Sequence, residues 1–205
     1  MFIDRKGFYM DFLINLPGLL IAIVFHELAH GYTAYLLGDS TAKREGRLSF
    51  NPIKHIDPIG FIFMLVFRFG WAKPVPINPM NFKHRKRDTF LVSIAGVVTN
   101  FILALISGFI IAYVPITNEI VFNIVLTTLW YNIMLGVFNL LPFPPLDGSK
   151  IVASFLPIKY EYYFYKYERY FYFILIILIA TNLTDKIIGP IIEFVLNLII
   201  IIISW

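Results

Sequence analysis

Long apolar stretches separated by short polar ones dominate this sequence of 205 residues. A helix needs about 20 apolar residues to cross the hydrocarbon core of a bilayer. Three internal stretches meet this length, and two further apolar runs close the chain. These five segments are 12–38, 89–114, 120–141, 170–180 and 187–205. The pattern predicts an all-α polytopic membrane protein with about five to six transmembrane helices.

A shorter apolar run at 59–69 lies between the first two long segments and is rich in residues that favour strands. The run is too short to cross a bilayer as a helix. We therefore expect a re-entrant or strand-like element packed among the helices. The segments 46–50 and 73–78 are candidates for pairing with it in a small β-sheet. Because no repeat or linker interrupts the chain, residues 1–205 are expected to form a single transmembrane domain.

The composition indicates that lipid is the solvent of this chain. Hydrophobic residues make up 59% of the sequence and charged residues 15%. A soluble domain of this length has too little interior to hide so much apolar surface. There is no cysteine, which excludes disulfide bonds and thiolate metal ligands.

The formal net charge of +4 comes from basic residues that concentrate in a few polar loops. The loops at 39–57, 70–88 and 157–169 carry most of them, whereas 115–119 carries none. This distribution is typical of the positive-inside bias of membrane proteins rather than of a nucleic-acid-binding face. If 59–69 does not cross, all three loops lie on the cytoplasmic side. The sequence thus predicts a multi-pass protein of the cell membrane, with no nucleic-acid partner.

Candidate chemistry begins with His26-Glu27-Leu28-Ala29-His30, near the middle of the first apolar segment. Positions i and i+4 share one face of a helix, so both imidazoles can reach one metal ion. Glu27 lies beside the first ligand and can take a proton from an attacking water. The alternative is a chance match, with two core histidines satisfied by carbonyl groups. The apolar surroundings disfavour it, because ionisable groups at bilayer depth need a partner or a function.

A catalytic zinc site needs a third protein ligand, and Asp147 is the leading candidate. It follows three prolines at the end of an apolar segment, in the stretch 139–148. Prolines interrupt a helix and free backbone carbonyls that lipid does not tolerate, so such a break should line a polar cavity. The alternative is an ordinary turn at the membrane surface. Beside a histidine pair that lacks a third ligand, we favour the ligand.

Together these motifs resemble the site-2 protease family of intramembrane zinc metallopeptidases, peptidase family M50, in its short form without a PDZ domain. The matching stretches are HELAH at 26–30, NLLPFPPLDG at 139–148, and shorter segments at 50–58, 70–79, 87–88 and 95–100. The resemblance implies one Zn²⁺ ion bound by His26, His30 and Asp147, with Glu27 as the catalytic base. Family members often carry proline where this chain has Val97, a difference that touches no expected ligand.

The resemblance also implies a substrate and two supporting residues. Asn139 and Asn100 would bind the unwound substrate backbone or support the site. The expected reaction, a form of regulated intramembrane proteolysis, hydrolyses a peptide bond in or near the transmembrane helix of a membrane protein. That helix must unwind locally, and the element at 59–69 is expected to receive the strand by edge pairing. A homo-oligomer or a regulatory membrane partner stays open.

The competing function is a membrane metal-ion transporter or sensor that uses the same ligands. A transporter tends to show repeated halves or several acidic sites along a path. This chain shows one cluster and no repeat, which favours the protease. His55 and Asp57 are a candidate second metal pair, but two ligands in a basic loop favour a structural turn.

Overall fold

The structure is a computed structural model that describes residues 5–67, 70–181 and 183–204. Within these ranges the chain is mostly helical. The α-helices are α1 (Arg5–Leu36), α2 (Thr41–Arg44), α3 (Pro58–Phe67), α4 (Arg85–Tyr113), α5 (Glu119–Asn139), α6 (Asp147–Phe155), α7 (Ile158–Lys166), α8 (Glu168–Ala180) and α9 (Leu183–Ile203). Two short 3-10 helices, Pro52–His55 and Pro79–Asn81, lie in the polar connections.

Four helices in the described part of the chain are long and apolar enough to cross a membrane. The spans are Phe12–Leu36 in α1, Arg85–Tyr113, Glu119–Asn139 and Lys186–Ile203 in α9. The helical class is confirmed, and these four helices are candidates for four of the five to six expected spans. The run at 170–180 falls in α8, whose 13 residues extend about 20 Å, short of a core of about 30 Å.

Of the two alternatives for 59–69, a re-entrant or a strand-like element, the strand-like one is wrong, because the segment is a helix. Residues 58–67 form α3, while positions 68 and 69 lie outside the described residues. In place of the small sheet, the described chain has one isolated antiparallel bridge, between Ile56 and Ala72. The helix pairs its own backbone groups, which a single strand in an apolar setting cannot do. The expected pairing of a substrate strand with this segment therefore loses its basis.

The start of α3 carries a sequence signal that predicts a helix. The Asp57 carboxylate accepts a hydrogen bond from the Gly60 N–H at 2.8 Å, and Pro58 occupies the first helical position. An aspartate cap followed by proline is a common helix start. Strand propensity spans only about 1 kcal/mol and yields readily to such local signals.

The core of the molecule is formed by α1, α4 and α5, which pack against one another, with α9 against α4 and α5. Small residues on α4 allow the close approach. A Cβ at Gly108 would lie 2.5 Å from Ile203 on α9. Residues of α4, α5 and α9 share one buried apolar cluster: Ala104, Ile133, Val137, Ile188, Ile192 and Ile199. Such small-residue contacts replace the hydrophobic effect as the basis of helix packing in lipid.

Contacts between the polar connections gather the basic loops at one end of the bundle. The Asn78 N–H donates to Asp39 at 2.7 Å, and Arg85 forms an ion pair with Glu161 at 2.8 Å. The Lys73 N–H also donates to the carbonyl of His55 at 2.9 Å. Parts of all three basic loops thus lie on the same side, as the charge pattern predicts.

Asp39 is the centre of these connections and its side chain is fully buried. It follows Gly38, which lies just beyond the end of α1 and has a φ of 106°, a conformation that glycine adopts readily. Its carboxylate accepts hydrogen bonds from the N–H of Thr41 and the side-chain amide of Asn81 as well as from Asn78. Burial alone would raise the pKa of this carboxyl, but these hydrogen bonds outweigh it and lower the pKa below its usual value.

Candidate metal centre

Three buried side chains from two helices converge inside the bundle. His26 and His30 lie one turn apart on α1, and their Nε2 atoms are 2.9 Å apart. The Oδ2 atom of Asp147 lies 2.9 Å from the Nε2 of His30 and 3.1 Å from that of His26. Each residue exposes only 5% of its surface. The structure thus brings together the three residues that the sequence indicates as metal ligands.

Asp147 reaches the histidines because α6 begins against the end of α5 and packs on α4. The helix α5 ends at Asn139, and α6 begins at Asp147 itself. A Cβ at Gly148 would overlap the carbonyl oxygens of Leu140 and Leu141, so glycine lets α6 start directly against the end of α5. The carboxylate lies in the first turn of α6, where the helix dipole stabilises negative charge.

Each imidazole is oriented by a hydrogen bond from its Nδ1 atom, the ring nitrogen that faces away from Asp147. The Nδ1 of His30 lies 2.7 Å from the carbonyl oxygen of Val92, and a carbonyl can only accept. The Nδ1 of His26 lies 2.6 Å from the Oδ1 of Asn100, which also accepts. Both rings therefore carry a proton on Nδ1, and the neutral form of each turns an Nε2 lone pair towards Asp147. This is the tautomer that a metal-binding histidine needs.

A second asparagine fixes the orientation of the first. Asn132 on α5 is fully buried and donates its Nδ2 to the carbonyl of Thr128 at 2.8 Å. Its Oδ1 consequently faces Asn100 and accepts a bond from the Nδ2 of that residue at 2.8 Å. Asn100 must then present its Oδ1 to His26. Asn132 was not predicted from the sequence, because its role depends on contacts between distant segments.

The donor set fits a divalent cation. With neutral imidazoles, two Nε2 lone pairs and a carboxylate oxygen are three acceptors in mutual contact, and such a group repels itself unless a proton or a metal cation lies among them. In a tetrahedral zinc site with bonds of about 2.0–2.1 Å, ligand atoms stand roughly 3.3 Å apart. The three atoms would need to separate by only a few tenths of an ångström to bind zinc. Histidine nitrogen and carboxylate oxygen are also the ligands of many catalytic zinc sites.

Gly96 on α4 makes room for this group. A Cβ at this position would lie 2.5 Å from the Nε2 of His30 and 2.7 Å from the Cε1 of His26. Any larger residue would press on both imidazoles. The sequence motif at 95–100 therefore has two structural roles, space at Gly96 and a hydrogen bond at Asn100.

Glu27 is half-buried and contacts an extended segment that follows α3. Its Oε2 accepts a hydrogen bond from the Val75 N–H at 2.7 Å. Val75 is buried and stands between Pro74 and Pro76, which have no N–H to donate. The bond holds the carboxylate on the side of α1 that faces this segment, and no local pattern in the sequence predicts this contact.

The remaining candidates take part in local contacts. Asn139 donates to the carbonyl of Leu135, four residues earlier on α5, at 3.0 Å. His55 is buried with its Nε2 2.8 Å from the carbonyl of Ser49, while Asp57 caps α3. In the described ranges, neither His55 nor Asp57 belongs to a group of three metal-ligating side chains.

Comparison with known proteins links this geometry to a family. The sequence pattern of peptidase family M50 matches residues 114–181. The chain is 45% identical over 147 residues to YwhC of Bacillus subtilis, named as a zinc metalloprotease, and the match covers 68% of this chain and 67% of that protein.

More distant relatives carry similar names. The chain is 28% identical over 144 residues to the zinc metalloprotease MJ0611 of Methanocaldococcus jannaschii, covering 69% of this chain and 70% of that protein. It is 28% identical over 142 residues to the zinc metalloprotease Rip2 of Mycolicibacterium smegmatis, covering 67% of this chain but only 55% of the relative. We found no match among solved structures.

Proposed function

This chain is a zinc metalloprotease of peptidase family M50, and we propose that it is an endopeptidase that cleaves its substrates within the membrane. The observation that supports this most is the position of His26, His30 and Asp147. The histidines lie near the middle of the first span, and the aspartate reaches them from α6 inside the helix bundle. A peptide bond can meet this group only by entering the bundle.

We assign His26, His30 and Asp147 as the ligands of one Zn²⁺ ion. When bound there, zinc polarises the substrate carbonyl and makes the attacking water more acidic. Asn100 and the Val92 carbonyl hold the two imidazoles with Nε2 directed towards Asp147, where the three residues would hold the ion. Orientation by such outer contacts is typical of metal-binding histidines.

Glu27 acts as the general base in this proposal. Its carboxylate takes a proton from the attacking water and passes it to the leaving amine. The hydrogen bond from Val75 orients the carboxylate. Asn139, near the turn that carries Asp147, is proposed to bind the substrate backbone, and Asn100 to support the site.

The proposed substrate is the transmembrane segment of another membrane protein. Helical peptide bonds are shielded and already paired, so the segment must unwind before it reaches the site.

We further propose that residues 1–205 form one domain in the cell membrane, with the basic loops on the cytoplasmic side. Besides the four spans, α8 is the candidate for an additional membrane-embedded helix. No observation favours a metal transporter or sensor.

The test compares membranes that contain the wild type with membranes that contain Glu27→Gln. Glutamine keeps the size of the side chain but cannot accept the proton. We expect the variant to retain zinc and to lose at least about 100-fold in cleavage rate. A precursor membrane protein should accumulate only in the variant. Full cleavage by a correctly folded Glu27→Gln protein would exclude Glu27 as the base.

A further inference from the structure

The helix α9 carries two polar side chains at mid-depth in an apolar span. Glu193 and Asn197 lie on either side of the midpoint of Lys186–Ile203, and both are exposed on the surface of the bundle. No hydrogen bond or ion pair joins either side chain to the described part of the chain. In the interiors of the other three spans, every described Asp, Glu or Asn side chain is buried or half-buried. These two residues therefore face lipid unless another molecule covers them.

The depth of Glu193 and Asn197 follows from the packing of α9. The Tyr113 hydroxyl, at the end of α4, donates to the carbonyl of Ile203, and Gly108 on α4 lies against Ile199. The two helices consequently run in the same direction. Glu193 is ten residues before Ile203, about 15 Å along the helix axis. Such a position is inside the hydrocarbon core, where a polar group needs a partner.

The exposed residues on this side of α9 follow the spacing of a helix–helix seam. Positions 186, 190, 193, 197, 200 and 204 are separated by alternating steps of four and three, and all are exposed. This is the repeat that places one stripe of a helix against a parallel partner helix. The buried residues of α9, Ile188, Ile192 and Ile199, lie on a different face, against α4 and α5. We call the exposed stripe the α9 seam.

We propose that the α9 seam is the contact between two copies of this chain. Two copies inserted in the same direction can be related by a two-fold axis along the membrane normal, which sets the two α9 helices parallel. In that arrangement Glu193 and Asn197, which are one turn apart on α9, are complementary to the same two residues of the other copy. The amide of each Asn197 donates to the Glu193 carboxyl of the other copy, and that carboxyl accepts whether or not it carries a proton.

The absence of cysteine from the sequence makes this contact directly testable. Ile200→Cys puts the single thiol of the chain on the seam, and Ile202→Cys puts it on the same helix but on the opposite face. The two isoleucines are almost equally exposed, at 52% and 50%. Oxidation in native membranes should join Ile200→Cys into a species of twice the chain mass. Ile202→Cys should stay monomeric.

A second arm removes the polar contacts. In the Ile200→Cys background, Glu193→Leu together with Asn197→Leu should weaken dimerisation of the purified chain in lipid vesicles by about tenfold, because two symmetric hydrogen bonds are lost. Phe194→Leu, an exposed neighbour off the seam, is the matched control and should leave dimerisation unchanged. Leucine suits a lipid-facing position, and an unchanged zinc content of the variants would show that the fold is intact.

Four results would overturn the proposal. They are equal cross-linking of Ile200→Cys and Ile202→Cys, no dimer from either, a cross-linked product that contains a different membrane protein, and a dimer unaffected by the paired leucines. None of these results bears on zinc binding or cleavage, so the seam and the proposed protease activity can fail separately.

Discussion

The imidazole of His26 depends on a chain of two asparagine side chains. Asn132 fixes the amide of Asn100, and Asn100 fixes the tautomer of His26. We expect Asn132→Leu to weaken zinc binding by roughly tenfold, the lower end of the effect usual for outer contacts of metal ligands. The zinc dissociation constant, measured by competition with a chromophoric chelator, checks this.

Asn139→Leu is the matched control for zinc affinity. Asn139 also lies on α5 and also donates to the carbonyl four residues earlier, but it is Asn132 that accepts the hydrogen bond from Asn100. Its loss should leave the zinc dissociation constant unchanged. If Asn132→Leu bound zinc as tightly as the wild type, Asn100 would not need Asn132 for its orientation.

Gly96 provides a second residue-level prediction. Because a Cβ there would collide with both imidazoles, Gly96→Ala should lower zinc affinity by roughly 10- to 100-fold. Gly189→Ala is the control, since a Cβ at position 189 meets no other atom within 4 Å. Metal analysis of the two purified variants separates them. Stoichiometric zinc at wild-type affinity in Gly96→Ala would contradict the packing of α4 against the site.

The sequence predicts some site residues better than others. His26, Glu27 and His30 follow from a spacing of four residues on one helix, and Asp147 from the proline-rich break before it. Asn132 carries no local signal, since it lies 32 positions from Asn100 and meets it only when α4 packs on α5. Residues that act through such long-range contacts emerge from the fold alone.

Among the connecting elements, Asp39 holds the end of α1 to the segment that carries Val75. Its hydrogen bonds depress its pKa below 3.8, so they stabilise the fold fully above about pH 4 and progressively less as the pH falls below that value. We expect Asp39→Asn to lower the free energy of unfolding at neutral pH by about 1–3 kcal/mol, because an NH₂ group replaces one of the two carboxylate oxygens that accept hydrogen bonds. The variant should also lose less stability than the wild type below pH 4.

Chemical unfolding in detergent micelles at several pH values measures both effects. Asp57→Asn is the matched control, since an asparagine can still accept the cap bond from Gly60 and should leave the free energy of unfolding nearly unchanged. An Asp39→Asn protein whose stability follows the wild-type pH curve would show that Asp39 is not ionised in the fold.

The elements themselves were predicted unevenly. The long spans follow from apolar length, which is a strong signal in lipid. The strand-like alternative for 59–69 is wrong, because the Asp57–Pro58 start signal outweighs the strand propensity of the residues that follow and the segment forms helix α3. The run at 170–180 is helical, but the 13 residues of α8 are fewer than the roughly 20 that a membrane span needs.

At the scale of the whole molecule, the basic loops lie together, as the charge pattern of the sequence predicts. The basic loops meet at one end of the bundle, near the end of α1 and the start of α4, and the candidate metal centre lies below them inside the helices. The charge pattern of the sequence is sufficient to predict this grouping. It is not sufficient to predict the α9 seam, since the face of α9 that packs on α4 and α5 is known only from the structure.

X-ray absorption at the zinc edge of the purified wild-type protein in lipid tests the central claim most directly. The account predicts one zinc per chain, nitrogen and oxygen donors at about 2.0–2.1 Å, and scattering from two imidazoles. A chain that takes up no stoichiometric zinc, or a zinc shell without two imidazoles, would contradict it.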